Sequence, residues 1–172
     1  MANNYFHSSK FTLVPEEITS AEQQRKIMSE LFDVADAEQL RSLQLSKYHA
    51  LLLYSANYLN ENGEPSIAEE TSLPVISKYI NNLDEITAYN KAILDYSKDY
   101  KTSYIAIGQG DKLIMANSFA TSGATSALYF LLEALRQKQI NPKQTSVQIY
   151  GELSEQELTI FKSYLMEVRQ LQ

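Results

Sequence analysis

The spacing of apolar residues divides the chain into short β-type runs and longer helical stretches. Phe11-Thr-Leu-Val14 is a compact apolar run ending at Pro15, and it predicts a strand. Ile27, Met28, Leu31 and Phe32 then recur at helical spacing, and either Thr19 with Glu22 or Ser20 with Gln23 supplies a capping box for that helix. Leu40 to Leu45 alternates apolar and polar positions, and Tyr48 to Tyr54 is denser, which predicts two strands meeting at a tight Ser46-Lys47 turn. Asn57 to Thr71 is polar, carries Asn62-Gly63 and Pro65, and reads as a loop. Two helices are expected after it. One runs from about Ser72 to Asn81 with Pro74 in its first turn, and the other starts near Asp84 and aligns Ile86, Tyr89, Ile93, Leu94 and Tyr100.

From Ser103 the pattern shifts to β. Tyr104-Ile-Ala-Ile107 and Leu113-Ile-Met-Ala116 predict strands joined by Gly108-Gln-Gly-Asp-Lys112, and Ser118 to Ser122 is a connection with room for a short third strand. Gly123 to Gln139 predicts a helix with Leu128, Leu131, Leu132 and Leu135 on its apolar face, stopped by Asn141-Pro142. Val147-Gln-Ile-Tyr150 reads as a buried strand. The last helix starts at a Ser154/Glu157 capping box with Leu153 and Leu158 as a staple, and its inward face holds Leu158, Phe161, Leu165 and Val168. Phe11 to Thr19 echoes Val147 to Ser154: strand, turn residue, acid, aliphatic, hydroxyl cap, helix. The echo leaves a duplication of two related halves open.

Composition narrows the chemistry. At 172 residues the chain can build one domain or two small lobes, and 44% apolar with 21% charged residues is ordinary for a folded protein. A net charge of −6 without a Lys/Arg run argues against nucleic acid or an anionic membrane as partner. The absence of cysteine excludes thiolate nucleophiles, disulfides and Cys-based metal sites. The start lacks a signal-type apolar stretch, and Ala127-Leu-Tyr-Phe-Leu-Leu132, broken by Glu133, is far short of the ~20 residues a membrane span needs. The expected compartment is the cytoplasm. His7 and His49 show no metal spacing: His49 reads as a strand-face or core residue, and His7 sits near a terminus. The adjacent acids Glu16-Glu17 and Glu69-Glu70 read as solvated faces, and Tyr89, Tyr96 and Tyr100 as helix packing.

Phe11-Thr-Leu-Val-Pro15, Lys112-Leu-Ile-Met-Ala-Asn-Ser-Phe119, Leu128-Tyr-Phe-Leu-Leu132 and the Gly151-Glu152 pair resemble the Bacteroidetes domain of unknown function 3822 family, which is distantly actin-like. The resemblance runs from Lys10 onward and is most specific between Lys112 and Gly151. It implies an α/β fold of actin-like or ribonuclease-H-like architecture, a mixed sheet with flanking helices. Members are longer, so the first half is expected to be incomplete. The expected division is a partial first lobe over 1–101 and a second half-domain over 102–172.

Actin-like ATPases hold phosphate at a first hairpin, where an Asp precedes a Gly-rich turn, and they bring the backbone close to adenosine at paired glycines. With Gly108-Gln-Gly110 taken as that turn, Ala106 stands where the Asp belongs, Asp111 lies beyond the turn, and Glu152 follows Gly151 where a second glycine is expected. Gly108, Gly110, Asp111, Gly151 and Glu152 are thus candidates for a degenerate pocket, with no catalytic residue, metal ligand or cofactor assigned. Gly108-Gln-Gly110 lies between strands and so is no dinucleotide fingerprint. There is no P-loop, and Ser122-Gly-Ala-Thr-Ser126 reads as a helix cap. Ribonuclease-H chemistry needs several carboxylates on the hairpin strands, which supply none. The expected role is a noncatalytic, degenerate actin-like protein working through protein contacts, including contacts with a second copy. The alternative is a small-ligand or nucleotide-responsive enzyme with a divergent site.

Overall fold

The computed structural model describes residues 3–97 and 101–171, and the chain divides into two units, Met1–Ser77 and Lys78–Gln172. The first unit contains β1 (Tyr5–Phe6), β2 (Phe11–Pro15), α1 (Ala21–Leu31), β3 (Leu40–Leu45), β4 (Ala50–Ser55), β5 (Asn57–Leu59), β6 (Pro65–Ile67) and β7 (Leu73–Pro74). β2, β4 and β3 form an antiparallel sheet in that order, because the dense apolar run of β4 can bury side chains between two neighbours. Val14, Met28, Leu51 and Leu53 make its core, with Ile18, Ile27, Phe32, Val34 and Leu40 packed around them. The Ser20 side chain accepts from the Gln23 N–H and caps α1. Of the predicted apolar face only Met28 is fully covered, while Leu31 at the last turn is exposed.

Three expectations change here. The 57–71 excursion contains the β5–β6 hairpin, with Gly63 at φ +76° in its connection and the Asn60 Oδ1 accepting from the Asn62 and Glu64 N–H groups at 3.0 Å each. His49 is not a strand-face residue. It ends a 3-10 turn over Ser46–Tyr48 in a left-handed conformation, exposed, with Nδ1 3.1 Å from Glu16 Oε1. His7 is half-buried, and burial lowers its pKa from 6.5 to about 4.

A buried acid ties the first unit together. Glu38 accepts from the Ser55 hydroxyl at 2.6 Å, the Ala35 N–H at 3.0 Å and Lys10 Nζ at 3.1 Å. Burial pushes its pKa upward, but the hydrogen bonds from Ser55, Lys10 and Ala35, with the Lys10 charge, outweigh that and hold it below the ordinary value.

The division between units falls within α2 (Val75–Asn82). After it come β8 (Asn90–Ser97), β9 (Thr102–Gln109), β10 (Lys112–Ala120), α3 (Ala124–Gln137), β11 (Thr145–Tyr150), α4 (Glu155–Tyr164) and β12 (Glu167–Leu171). The five strands lie in the order β10-β9-β8-β11-β12, with β9 antiparallel to both neighbours and β8, β11 and β12 mutually parallel. One face carries Ala92, Leu94, Tyr96, Ile105, Ile107, Val147 and Ile149 against α3 and α4. Alternation then sends Lys91, Ile93, Asp95, Tyr104, Ala106, Ser146, Gln148 and Tyr150 to the other face.

The helix expected from Asp84 to Tyr100 is instead a 3-10 turn over Leu83–Glu85 followed by β8. Both faces of β8 are covered, so Ala92, Ile93 and Leu94 are all wholly buried, and a continuous apolar run carries no strand alternation to read. Tyr89 is exposed, Tyr96 is buried in β8, and Tyr100 lies outside the described residues. A division at 101/102 would part β8 from β9 and β11, the two strands it pairs with; the unit boundary precedes it. β10 runs unbroken to Ala120, so no separate third strand follows Ser118.

The Ser154/Glu157 capping box forms, but α4 ends at Tyr164. The Met166 N–H reaches the Thr145 carbonyl at 3.2 Å, which draws Val168 into β12 rather than a helix. The echoed segments share only local form, since β2 pairs antiparallel with β4 while β11 lies parallel between β8 and β12.

Candidate functional site

Ligands of open α/β sheets bind outside the carboxyl ends of the parallel strands. In the second unit that end of β8 carries Asp95, opposite Tyr104 on β9 and Tyr150 on β11. Asp95 is 5% exposed, and the hydroxyl of Tyr79, projecting from α2, donates to its Oδ2. The Tyr79 ring lies 5.0 Å from that of Tyr150 and 6.4 Å from that of Tyr104. Asn82 Nδ2 donates to the Tyr150 hydroxyl at 2.8 Å, and Lys78 Nζ sits 4.9 Å above the Tyr150 ring.

Removal from water is the main reason the Asp95 pKa rises from 3.8 to about 6; the Tyr79 hydrogen bond and the Lys78 charge pull the other way. Burial, then the adjoining Asp95 charge, raises the Tyr79 phenol far above its ordinary value. This arrangement stabilises a hydroxyl–carboxyl pair under an aromatic cover. Directing a metal-bound water shell needs an acid open to solvent, and Asp95 is covered. Among the described residues no group of three or more His, Asp or Glu side chains is placed to hold a metal ion.

The residues singled out from the sequence are not brought to one place. Gly108, Gly110 and Asp111 lie at the β9–β10 turn, with Gly108 opposite Lys91 at the start of β8. Gly151 and Glu152 follow β11, whose Tyr150 lies opposite Asp95 near the other end of β8. Lys91 and Asp95 are separated by roughly 13 Å at about 3.3 Å per strand residue.

Two of these glycines have structural reasons of their own. Gly110, at φ +58°, takes the left-handed turn position and its N–H donates to the Tyr89 carbonyl at 2.8 Å. Gly151 has φ +124°, and a Cβ there would stand 2.1 Å from the Tyr96 carbonyl oxygen. The glycine allows the chain to pass β8, which is sufficient reason for it. At Ser122–Ser126 the Ser122 N–H donates to Ser126 Oγ at 3.3 Å, while the N-cap of α3 is Gly123, with no side-chain cap hydrogen bond.

Ala106 requires a correction. It belongs to β9, the second strand of this sheet in chain order, and is wholly buried opposite Ile93. The first hairpin is β8–β9, so the acid preceding its turn is Asp95, and that acid is present. Asp95 falls in the segment whose apolar spacing predicts a helix, which hides it in the sequence. The available signal was Ala92-Ile-Leu94, a short apolar run followed by Asp95 and Tyr96, which also fits a buried strand.

The profile of a family described as Protein of unknown function (DUF3822) matches residues 3–166. No curated protein matches the chain. A crystal structure from Bacteroides thetaiotaomicron VPI-5482, described as a protein with actin-like ATPase fold and unknown function, is similar over 98% of this chain and 67% of that one, with a TM-score of 0.76 at 19% identity. That likeness establishes the actin-like fold. At this identity it carries the fold alone.

Proposed function

The chain belongs to the family described as Protein of unknown function (DUF3822), and we propose that it is a noncatalytic actin-like protein that acts through protein contacts. The observation that carries the proposal is the closure of Asp95. The acid at the end of the first strand of the five-stranded sheet is kept, yet it is buried, hydroxyl-capped and raised to about 6. In sequence, Lys98-Asp-Tyr-Lys101 separates β8 from β9 and contains none of the glycines that let backbone N–H groups approach phosphates.

Support for protein contacts comes from the surface. β10 is a nine-residue strand at an edge of its sheet, a position that leaves one row of backbone groups available for pairing. Tyr129, Tyr164 and Met166 are each more than half exposed.

Thermal melting with and without Mg-ATP tests the noncatalytic half. A ligand at 100 times its dissociation constant adds about 2.7 kcal/mol, whereas this reading expects no shift. A rise that disappears in Asp95→Asn would instead favour a nucleotide-responsive enzyme. Light scattering across a concentration series tests the contact half. A mass that grows with concentration is expected if the partner is a second copy. A monomer at every concentration excludes that partner.

A further inference from the structure

We propose a second, separate site: a cavity beside β11 and β12 that takes a small free α-amino acid. The cavity has a volume of about 120 Å³, room for a ligand of a few heavy atoms, and its lining includes Ile86, Ser146, Gln148, Glu167 and Arg169. Gln148 is 6% exposed, yet its side-chain carbonyl oxygen is buried with no hydrogen-bond partner. Buried acceptors are nearly always satisfied, and an unpartnered one on a residue that lines the cavity needs a reason. A ligand N–H is such a reason.

The neighbouring charges say which ligand. Glu167 lies opposite Ser146 and Arg169 opposite Gln148, all on the face turned away from α3 and α4. Ser146 Oγ donates to Glu167 Oε2 at 3.2 Å, which fixes that carboxylate. Arg169 makes no ion pair among the described residues. Two residues apart on one strand, the acid and the guanidinium emerge roughly 6.6 Å from one another.

An α-amino acid carries its ammonium and carboxylate on a single carbon, so it spans that gap with one charge-assisted hydrogen bond at each end. The ammonium faces Glu167 and the Gln148 oxygen, the carboxylate faces Arg169, and a small side chain lies toward Ile86. A bare anion would meet the Glu167 carboxylate, and a bare cation would meet Arg169. A zwitterion satisfies both. The inference is independent of the nucleotide question at Asp95.

Titration of the full chain with glycine, L-alanine and L-serine, followed by the Gln148 side-chain amide resonances in ¹H–¹⁵N NMR, tests it. Saturable shifts with a dissociation constant of about 1 mM or tighter are expected. N-acetyl-alanine and alaninamide, each missing one charge, should bind at least about tenfold more weakly, as should all three zwitterions to Arg169→Gln. Three results would overturn the proposal: no saturable shift from any zwitterion up to about 10 mM, equal response to the blocked compounds, or unchanged affinity in Arg169→Gln.

Discussion

Replacing Asp95 with Asn probes the closed acid directly. Asn keeps an oxygen to accept from the Tyr79 hydroxyl and removes the ability to ionise. In the folded chain burial raises Asp95 from 3.8 to about 6. At about 1.4 kcal/mol per pH unit, that gap corresponds to about 3 kcal/mol. The sign follows from proton linkage. The native state holds this proton more tightly than the unfolded chain, so the stabilisation is complete below about pH 4 and is lost as pH rises through about 6. Asn does not titrate. The stability of Asp95→Asn relative to the parent should therefore rise by about 3 kcal/mol between about pH 4 and pH 8, whatever constant offset the new amide introduces. Urea unfolding followed by far-UV circular dichroism and tyrosine emission, in a chain without tryptophan, measures it. An acid that sat open to bind metal would titrate near its ordinary value. A difference between the two proteins that stays flat with pH would therefore refute the burial argument.

Glu38→Gln should lower the urea midpoint, with a loss of about 2 kcal/mol at neutral pH, because Lys10 would keep its charge without the carboxylate that faces it. Since Glu38 is held below its ordinary value, its contribution is present above that value and fades as pH falls, so the two proteins should converge in acid. Gly151→Ala should cost at least about 2 kcal/mol, because the added carbon strikes the Tyr96 carbonyl at a left-handed backbone position. Gly123→Ala, with open space around it and extended backbone, should stay within about 1 kcal/mol in the same melts. His7, lowered to about 4 by burial, costs the native state stability as pH falls from 6.5 toward 4. In His7→Asn that acid-side decline should be shallower, as a urea series across those pH values would show.

The elements with clear local rules were legible in the sequence. Ser154 and Glu157 form the capping box they encode, β3 and β4 pair as expected though through a longer Ser46–His49 connection than a tight Ser46-Lys47 turn, and Leu128, Leu131 and Leu135 lie on the buried face of α3. β8 and β12 were not, for related reasons. A parallel strand covered on both faces reads as a plain apolar run, and Val168 falls at helical spacing from Leu165 although the chain has already turned into a strand. Misplacing β8 moved the first hairpin by one strand, and with it the expected position of the acid from Asp95 to Ala106. Tyr79 lies 16 residues before Asp95, and no local pattern marks a side chain that meets its partner only through packing of α2 on the sheet. The cavity acceptor was equally hidden, because Gln148 within Val147-Gln-Ile149 looks like ordinary strand alternation until its neighbours are placed.

Asp95 is a closed, hydroxyl-capped acid, and its side-chain carboxyl carbon reports on that state. Recording that resonance across a pH titration, with and without Mg-ATP, should give a midpoint of about 6 in both series. A midpoint in the ordinary carboxylate range, or one that moves when Mg-ATP is added, would contradict the account and return the site to nucleotide chemistry.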